Sequence, residues 1–191
     1  MHLLNTIENT HSKLITSIQV FPCGNFISVS KDKSIGIYNN IHFTQLQKIP
    51  NAHNKGIAYV SIKDYFNFIT SSADYDIKIW IKKMNFEFEL FHKIENAHSD
   101  KIGKIIYWEN NNIISGSKDG QLKFRKKICG CENTYLFDEK KNCNNCLFSI
   151  LLIQSKNLLI ASGDVRTIIL NLYDKEIYKI YENVWNLECF R

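Results

Sequence analysis

Glycine is scarce in this chain. There are eight in 191 residues, nowhere spaced as Gly-x-Gly-x-x-Gly, which excludes a glycine-rich loop cradling phosphates. No apolar run approaches the roughly 18 residues a bilayer-spanning helix needs. Met1-His2-Leu3-Leu4-Asn5 lacks the basic region and apolar core of a signal peptide. The expectation is therefore an intracellular, reducing location, cytoplasmic with the nucleus left open. The six cysteines would then be thiols or metal ligands rather than disulfides. Charge of one sign is also short: the net charge is +5, with lysines spread through turns and strand faces. That is weak ground for a nucleic-acid or phospholipid partner. No paired carboxylates stand apart from the turns, and no catalytic machinery is expected. The remaining composition, 45% hydrophobic and 23% charged, is that of an ordinary soluble globular domain.

What the chain does have is a repeat. His11, His53 and His98 each stand twenty-one residues before an aspartate, Asp32, Asp74 and Asp119. Two places before each aspartate is a serine (Ser30, Ser72, Ser117), and six places after it stands Tyr38, Trp80 or Arg125. Recurrence at 42 and then 45 residues marks stacked units, each too small to be stable alone. After each histidine comes an apolar run: Leu14–Phe21, Gly56–Ile62 and Ile102–Trp108. A polar turn follows, then a second run ending in Ser-x-Asp, then a third run at Ser34–Asn39, Asp76–Ile81 and Gln121–Lys126. Runs of this length, rich in Ile, Val, Phe and Tyr, predict β-strands. The first runs alternate little, which predicts that both of their faces are covered. Phe86-Glu87-Phe88-Glu89-Leu90 alternates at period two, as an outer, half-exposed strand should.

This pattern resembles the WD-repeat β-propeller family. Ser72-Ala73-Asp74-Tyr75-Asp76-Ile77-Lys78-Ile79-Trp80 comes nearest to its signature, and Asn51-Ala52-His53 stands where the family usually has Gly-His. Tyr38 and Arg125 depart from the signature tryptophan; Asn39, Ile81 or Lys126 stands in place of the aspartate after it. The expected fold is all-β, a partial propeller of about four four-stranded antiparallel blades in an incomplete ring. The units are 11–52, 53–97, 98–143 and 144–183, with 184–191 opening a fifth. In the fourth unit Asn144 takes the histidine position and Val165 the aspartate position, or a one-residue slip recovers Ser162 and Asp164 and shifts the following strand; its polar network is expected to be gone. Leu3–Glu8 reads as an outer strand of a blade not otherwise present, and Val184–Phe190 as a first strand. Family rings usually have seven blades, which leaves three alternatives. The chain is a truncated product, half of a ring completed by another chain, or a self-associating arc.

His, Ser and Asp together invite a hydrolase reading. A triad is needed once, however, and this trio occurs three times at nearly fixed spacing. The resemblance implies joinery instead, with the histidine bonding the turn aspartate and the serine and tryptophan extending that network. His53, Ser72, Asp74 and Trp80 form the full set. His11, Ser30 and Asp32 form a lesser one, as do His98, Ser117 and Asp119. Cys129-Gly130-Cys131 and Cys143-Asn144-Asn145-Cys146 flank a segment, 132–142, read as irregular; four such thiols suit a structural zinc or stand as unlinked cysteines.

The resemblance also implies a binding face built from loops and turns. Its candidates are Lys31, Ala73 and Lys118, just before the aspartates, and Leu14, Gly56 and Lys101, three after the histidines. Three lysines among six point to an acidic or phosphorylated protein segment as partner. The expected function is a non-catalytic protein-interaction scaffold. The alternative is a recruiting module of a multisubunit enzyme, such as a ubiquitin ligase or kinase assembly, with catalysis elsewhere.

Overall fold

The computed structural model describes residues 6–84, 87–127, 135–144 and 146–182. Within them, strands form four antiparallel sheets of four, each running in chain order from an inner to an outer strand. Blade 1 comprises β1 (Ile15–Val20), β2 (Phe26–Ser30), β3 (Ile35–Tyr38) and β4 (Gln45–Ile49). Blade 2 comprises β5 (Ile57–Ile62), β6 (Asn67–Ser72), β7 (Ile77–Lys82) and β8 (Phe88–Ile94). Blade 3 comprises β9 (Ile102–Trp108), β10 (Asn112–Ser117), β11 (Gln121–Lys127) and β12 (Tyr135–Asn142). Blade 4 comprises β13 (Leu147–Ile153), β14 (Leu158–Gly163), β15 (Arg166–Asn171) and β16 (Ile177–Glu182). The all-β, four-bladed expectation holds. No helix among the described residues is long and apolar enough to cross a membrane.

The turns explain how the chain manages with so little glycine. Among the described residues ten non-glycine residues have positive φ, and six of them are asparagines: Asn9, Asn51, Asn96, Asn110, Asn144 and Asn157. Asparagine tolerates the left-handed region because its short amide can bond locally. Two glycines sit where a side chain would crowd neighbouring backbone. A Cβ on Gly103 would sit 2.7 Å from the Leu147 carbonyl oxygen, and one on Gly56 would sit 3.1 Å from the Lys31 Cα. Bare backbone at Gly103 lets β9 and β13 approach closely, and at Gly56 it lets the lead-in to β5 pass close to the turn after β2.

The blades pack in sequence order through their inner strands: β1 against β5, β5 against β9, β9 against β13. Each junction holds its own apolar cluster, as a face too small to bury alone requires. Ile27, Val29, Ile35 and Ile37 of blade 1 receive Val60, Phe68 and Trp80 of blade 2. Ile69, Ile77 and Ile79 of blade 2 meet Ile102, Ile105 and Ile113 of blade 3. Ile114, Leu122 and Phe124 meet Leu147, Ile150, Leu159 and Ile168 of blade 4. The Gln47 side chain bridges two outer strands like a piece of ladder: its amide donates to the Phe88 carbonyl and accepts from the Phe88 N–H, both at 2.8 Å. Blades 3 and 4 are tied at the rim by ions instead. Lys175 bonds Asp138 and, at 2.9 Å, Glu139.

Four expectations need correction. Residues 135–142, inside the segment read as irregular, form β12, registered against β11 from Gln121↔Asn142 to Lys127↔Tyr135. Its run of charges hid it, because those charges serve the ionic rim. The inner strand β1 is not covered on both faces: Ile18 and Val20 are 57% and 64% exposed, since no blade precedes it among the described residues. The alternation read in 86–90 fails at Leu90, 44% exposed, where a register shift interrupts the β7–β8 pairing; Phe86 lies outside the described residues. Thr6 and Ile7 are not strand and Glu8 is a turn, while Leu3–Asn5 and the run 184–190 lie outside the described residues.

Candidate functional site

Each of the first three blades carries a chain of hydrogen bonds linking the third strand to the turn. In blade 2, Trp80 Nε1–H donates to Thr70 Oγ1 at 2.9 Å. The Thr70 hydroxyl lies 2.8 Å from His53 Nε2, and His53 Nδ1 lies 3.0 Å from Asp74 Oδ2. In blade 3, Arg125 Nη1 donates to Ser115 Oγ at 2.9 Å, Ser115 bonds His98 Nε2 at 2.9 Å, and His98 Nδ1 bonds Asp119 Oδ2 at 2.9 Å. In blade 1 the Ser28 hydroxyl lies 3.4 Å from that of Tyr38 and 2.7 Å from His11 Nε2, while His11 Nδ1 is 3.2 Å from Asp32 Oδ2. The Trp80 indole and the Nδ1–H groups of the three imidazoles each have an acceptor if each ring is neutral with its proton on Nδ1. Tyr38, Trp80 and Arg125 thus fill one place.

The hydroxyls Ser28, Thr70 and Ser115 are the members the trio left out. Their signal was present: each stands seventeen residues after its histidine. Ser30, Ser72 and Ser117 do a different job and bond no histidine. Each accepts from the aspartate's own backbone N–H and donates to a carbonyl at the start of the inner strand, those of Lys13, Lys55 or Gly56, and Asp100 or Lys101.

Electrostatics follow from this wiring. Burial would raise the Asp74 carboxyl, but bonds from His53 and from the backbone of Asn54 and Asp76 hold it well below the usual carboxylate range. Asp32 is lowered likewise against burial, chiefly by Ser34. Burial pushes His98 down to about 4, Asp119 opposing and Arg125 and Lys123 adding to it. Burial also lowers His53. Arg125 is lowered by burial to about 10 and stays charged at neutral pH.

Asp74→Ala should therefore remove the acceptor of three donors: His53, the Asn54 N–H and the Asp76 N–H. The expected cost is about 1–3 kcal/mol in a denaturant titration. No catalytic activity should change; a folded variant that lost a hydrolase turnover would contradict the assignment.

In blade 4 the positions matching the histidine and the aspartate are Asn144 and Val165. Asn144 is exposed and donates its N–H to Asn142, and Val165 is 49% exposed. A hydroxyl pair, Ser162 with Thr167 at 2.9 Å, lies near that turn. Cys143 is buried, and burial pushes its thiol up to about 11; Cys146 is half-buried with its Sγ 3.4 Å from the Lys118 carbonyl oxygen. Cys129 and Cys131 lie outside the described residues, and among the described residues no three metal-binding side chains converge.

Beside these turns lies a concave surface with a volume of about 760 Å³ that draws on all four blades. Leu14, Lys31, Gly56, Ala73, Lys101 and Lys118, the positions implied by the family resemblance, all line it. So does Lys13, and Ile15, Ile57, Ile102 and Phe148 supply an apolar floor. The inner strands place these groups by a repeated device. Each has a register shift against its neighbour, falling at Thr16, Ala58, Gly103 and Phe148. These four bulged residues all border the cavity. Bulges re-aim side chains next to sites, and nothing in the residue spacing announces them. Lysines that look scattered in the sequence are gathered here: four rim the cavity, and its lining includes no carboxylate. Among the described residues none of the four is in an ion pair; Lys118 lies over the Phe148 ring, 5.2 Å from its centroid.

The family model "WD domain, G-beta repeat" matches residues 2–39. No curated protein matches the chain. A chain in a solved structure described as "Crystal Structure of Mitotic Checkpoint Complex" is similar with a TM-score of 0.73 and 14% identity, over 93% of this chain and 52% of that one. This chain thus spans about half the length of the solved chain it matches, and at such identity the likeness is one of fold. With four four-stranded sheets stacked on one plan, the chain has a β-propeller architecture, and its first repeat, residues 2–39, matches the WD-repeat family model.

Proposed function

We propose that this chain is a non-catalytic interaction module whose concave surface holds an acidic or phosphorylated segment of a partner protein. WD-repeat propellers generally mediate protein interactions. The observation that supports this finer reading is the cavity's composition: lysines 13, 31, 101 and 118 around aliphatic and aromatic side chains, with no carboxylate among the lining residues. Ammonium groups around a partly dry floor favour an anionic group carried beside an apolar one. The polar chains beneath are structural: each bonds a loop to a turn, and none leaves a nucleophile free.

The test is fluorescence anisotropy with short peptides of one sequence in three forms: glutamate-rich, phosphoserine-containing and neutral. The acidic forms should bind, and affinity should fall as salt rises. A double charge reversal, Lys31→Glu with Lys118→Glu, should weaken binding by about 10-fold or more without unfolding the protein, since both side chains are exposed. Equal binding of the neutral peptide, or indifference to the reversal, would remove the proposal.

A further inference from the structure

The His–Asp turns and the lysine-rimmed surface share one end of the stacked sheets. By the antiparallel strand order, the connections β1–β2 and β3–β4 of blade 1 and β5–β6 and β7–β8 of blade 2 lie at the other. There a second cavity, of about 400 Å³, opens between these two blades. Its wall is Phe21, Ile37, Leu46 and Phe88, with the Phe21 and Phe88 rings stacked at 5.4 Å between centroids. Gln47 also borders it but spends its amide on Phe88. Leu46 is 54% exposed, and Ile41, Phe66 and Met84 stand exposed in the same connections.

Two carboxamides supply what this wall lacks. Asn25 and Asn39 both border the cavity. The Asn25 Oδ1 accepts the Asn40 N–H at 3.2 Å, and the Asn39 Oδ1 accepts the N–H groups of Ile41 and His42, each at 2.8 Å. Each amide is thus fixed by its oxygen end, and its NH2 group has no acceptor among the described residues. Two pinned donors beside an apolar wall suit an acceptor carried next to an apolar group. That acceptor need not be charged. Lys82 and Glu87 contribute one charge of each sign, so the lining has no net charge, and Lys82 lies over the Tyr65 ring at 3.8 Å from its centroid.

We infer that this cavity holds a neutral, extended segment of a partner protein. A large aromatic or aliphatic side chain lies against Phe21 and Phe88, and main-chain carbonyl groups accept from Asn25 and Asn39. A peptide carbonyl is an uncharged acceptor a few bonds from a side chain, which is the combination this lining matches. A further blade does not compete for the place: blades stack on free sheet faces, and the two faces that meet here already cover each other. The inference stands apart from the lysine-rimmed surface at the other end, whose chemistry favours anions.

The probe is N-acetylphenylalanine N-methylamide, titrated into the isotope-labelled chain and followed by amide NMR. The side-chain NH2 signals of Asn25 and Asn39 should shift saturably, with no dependence on salt. The alanine analogue, lacking the ring, should bind about 10-fold more weakly or worse. Asn39→Asp keeps an oxygen for the Ile41 and His42 N–H groups but puts a second acceptor where the donor was, so it should weaken the probe about 10-fold or more with the fold intact. Leu46→Ser, at an exposed position, should weaken it in the same direction. The inference is overturned if the two NH2 signals do not shift, if the alanine analogue binds equally, or if both variants leave the probe unaffected. Tighter binding of N-acetylphenylalanine, with its free carboxylate, would overturn it in favour of an anionic ligand. Shifts that grow with protein concentration alone would overturn it in favour of a second copy of the chain.

Discussion

Replacing Phe68 with alanine is expected to cost about 3–5 kcal/mol, and to weaken the chain unevenly. Phe68 is fully buried at the first blade junction. Its ring stacks on Trp80 with centroids 5.9 Å apart and meets Phe88 at 5.0 Å and Phe21 at 6.3 Å. Truncation leaves a cavity bounded by three aromatic rings that cannot all collapse into it. A stacked array responds locally, because each unit touches only its neighbours. Hydrogen exchange should therefore accelerate in blades 1 and 2 well before blade 4. Uniform acceleration through all four blades would mean that the arc unfolds as one unit, contrary to its packing.

Acidification should destabilise the protein in two stages. An unfolded histidine takes its proton near pH 6.5, whereas folded His98 takes it only near 4. Between those values the unfolded chain binds more protons, so stability falls as pH drops through that window. For His98 alone the loss is about 3 kcal/mol, and His53 shifts in the same direction. The carboxylates add a second stage at lower pH. Asp32, Asp74 and Asp119 are all held below the ordinary value of 3.8, so their contribution is present above it and lost beneath it. Urea titrations between neutral pH and about pH 5 check the first stage. A flat profile there would show that the rings accept protons in place. That would require Thr70 and Ser115 to turn their hydroxyls away from the imidazoles.

Much of this architecture was legible because stacked blades repeat their chemistry. Apolar runs and polar turns recurring in three copies pointed to the strands of each stacked unit, and the family resemblance pointed to six residues that border one cavity. What escaped notice had physical reasons. The hydroxyls at Ser28, Thr70 and Ser115 recur as faithfully as the aspartates, but small polar residues in strands carry little signal of their own. Arg125 read as a loss of the signature tryptophan, although its guanidinium makes the same donation to Ser115 that the Trp80 indole makes to Thr70. The clustering of lysines 13, 31, 101 and 118 could not be seen in a linear chain, since it exists only once four blades are stacked.

The two kinds of rim fastening give the arc a mechanical asymmetry. The Gln47 amide joins blades 1 and 2 through neutral bonds that dissolved ions barely affect. Lys175 joins blades 3 and 4 through charges whose attraction added salt weakens. Rising ionic strength should thus loosen one end of the molecule while the other keeps its curvature, making the fourth blade the hinge.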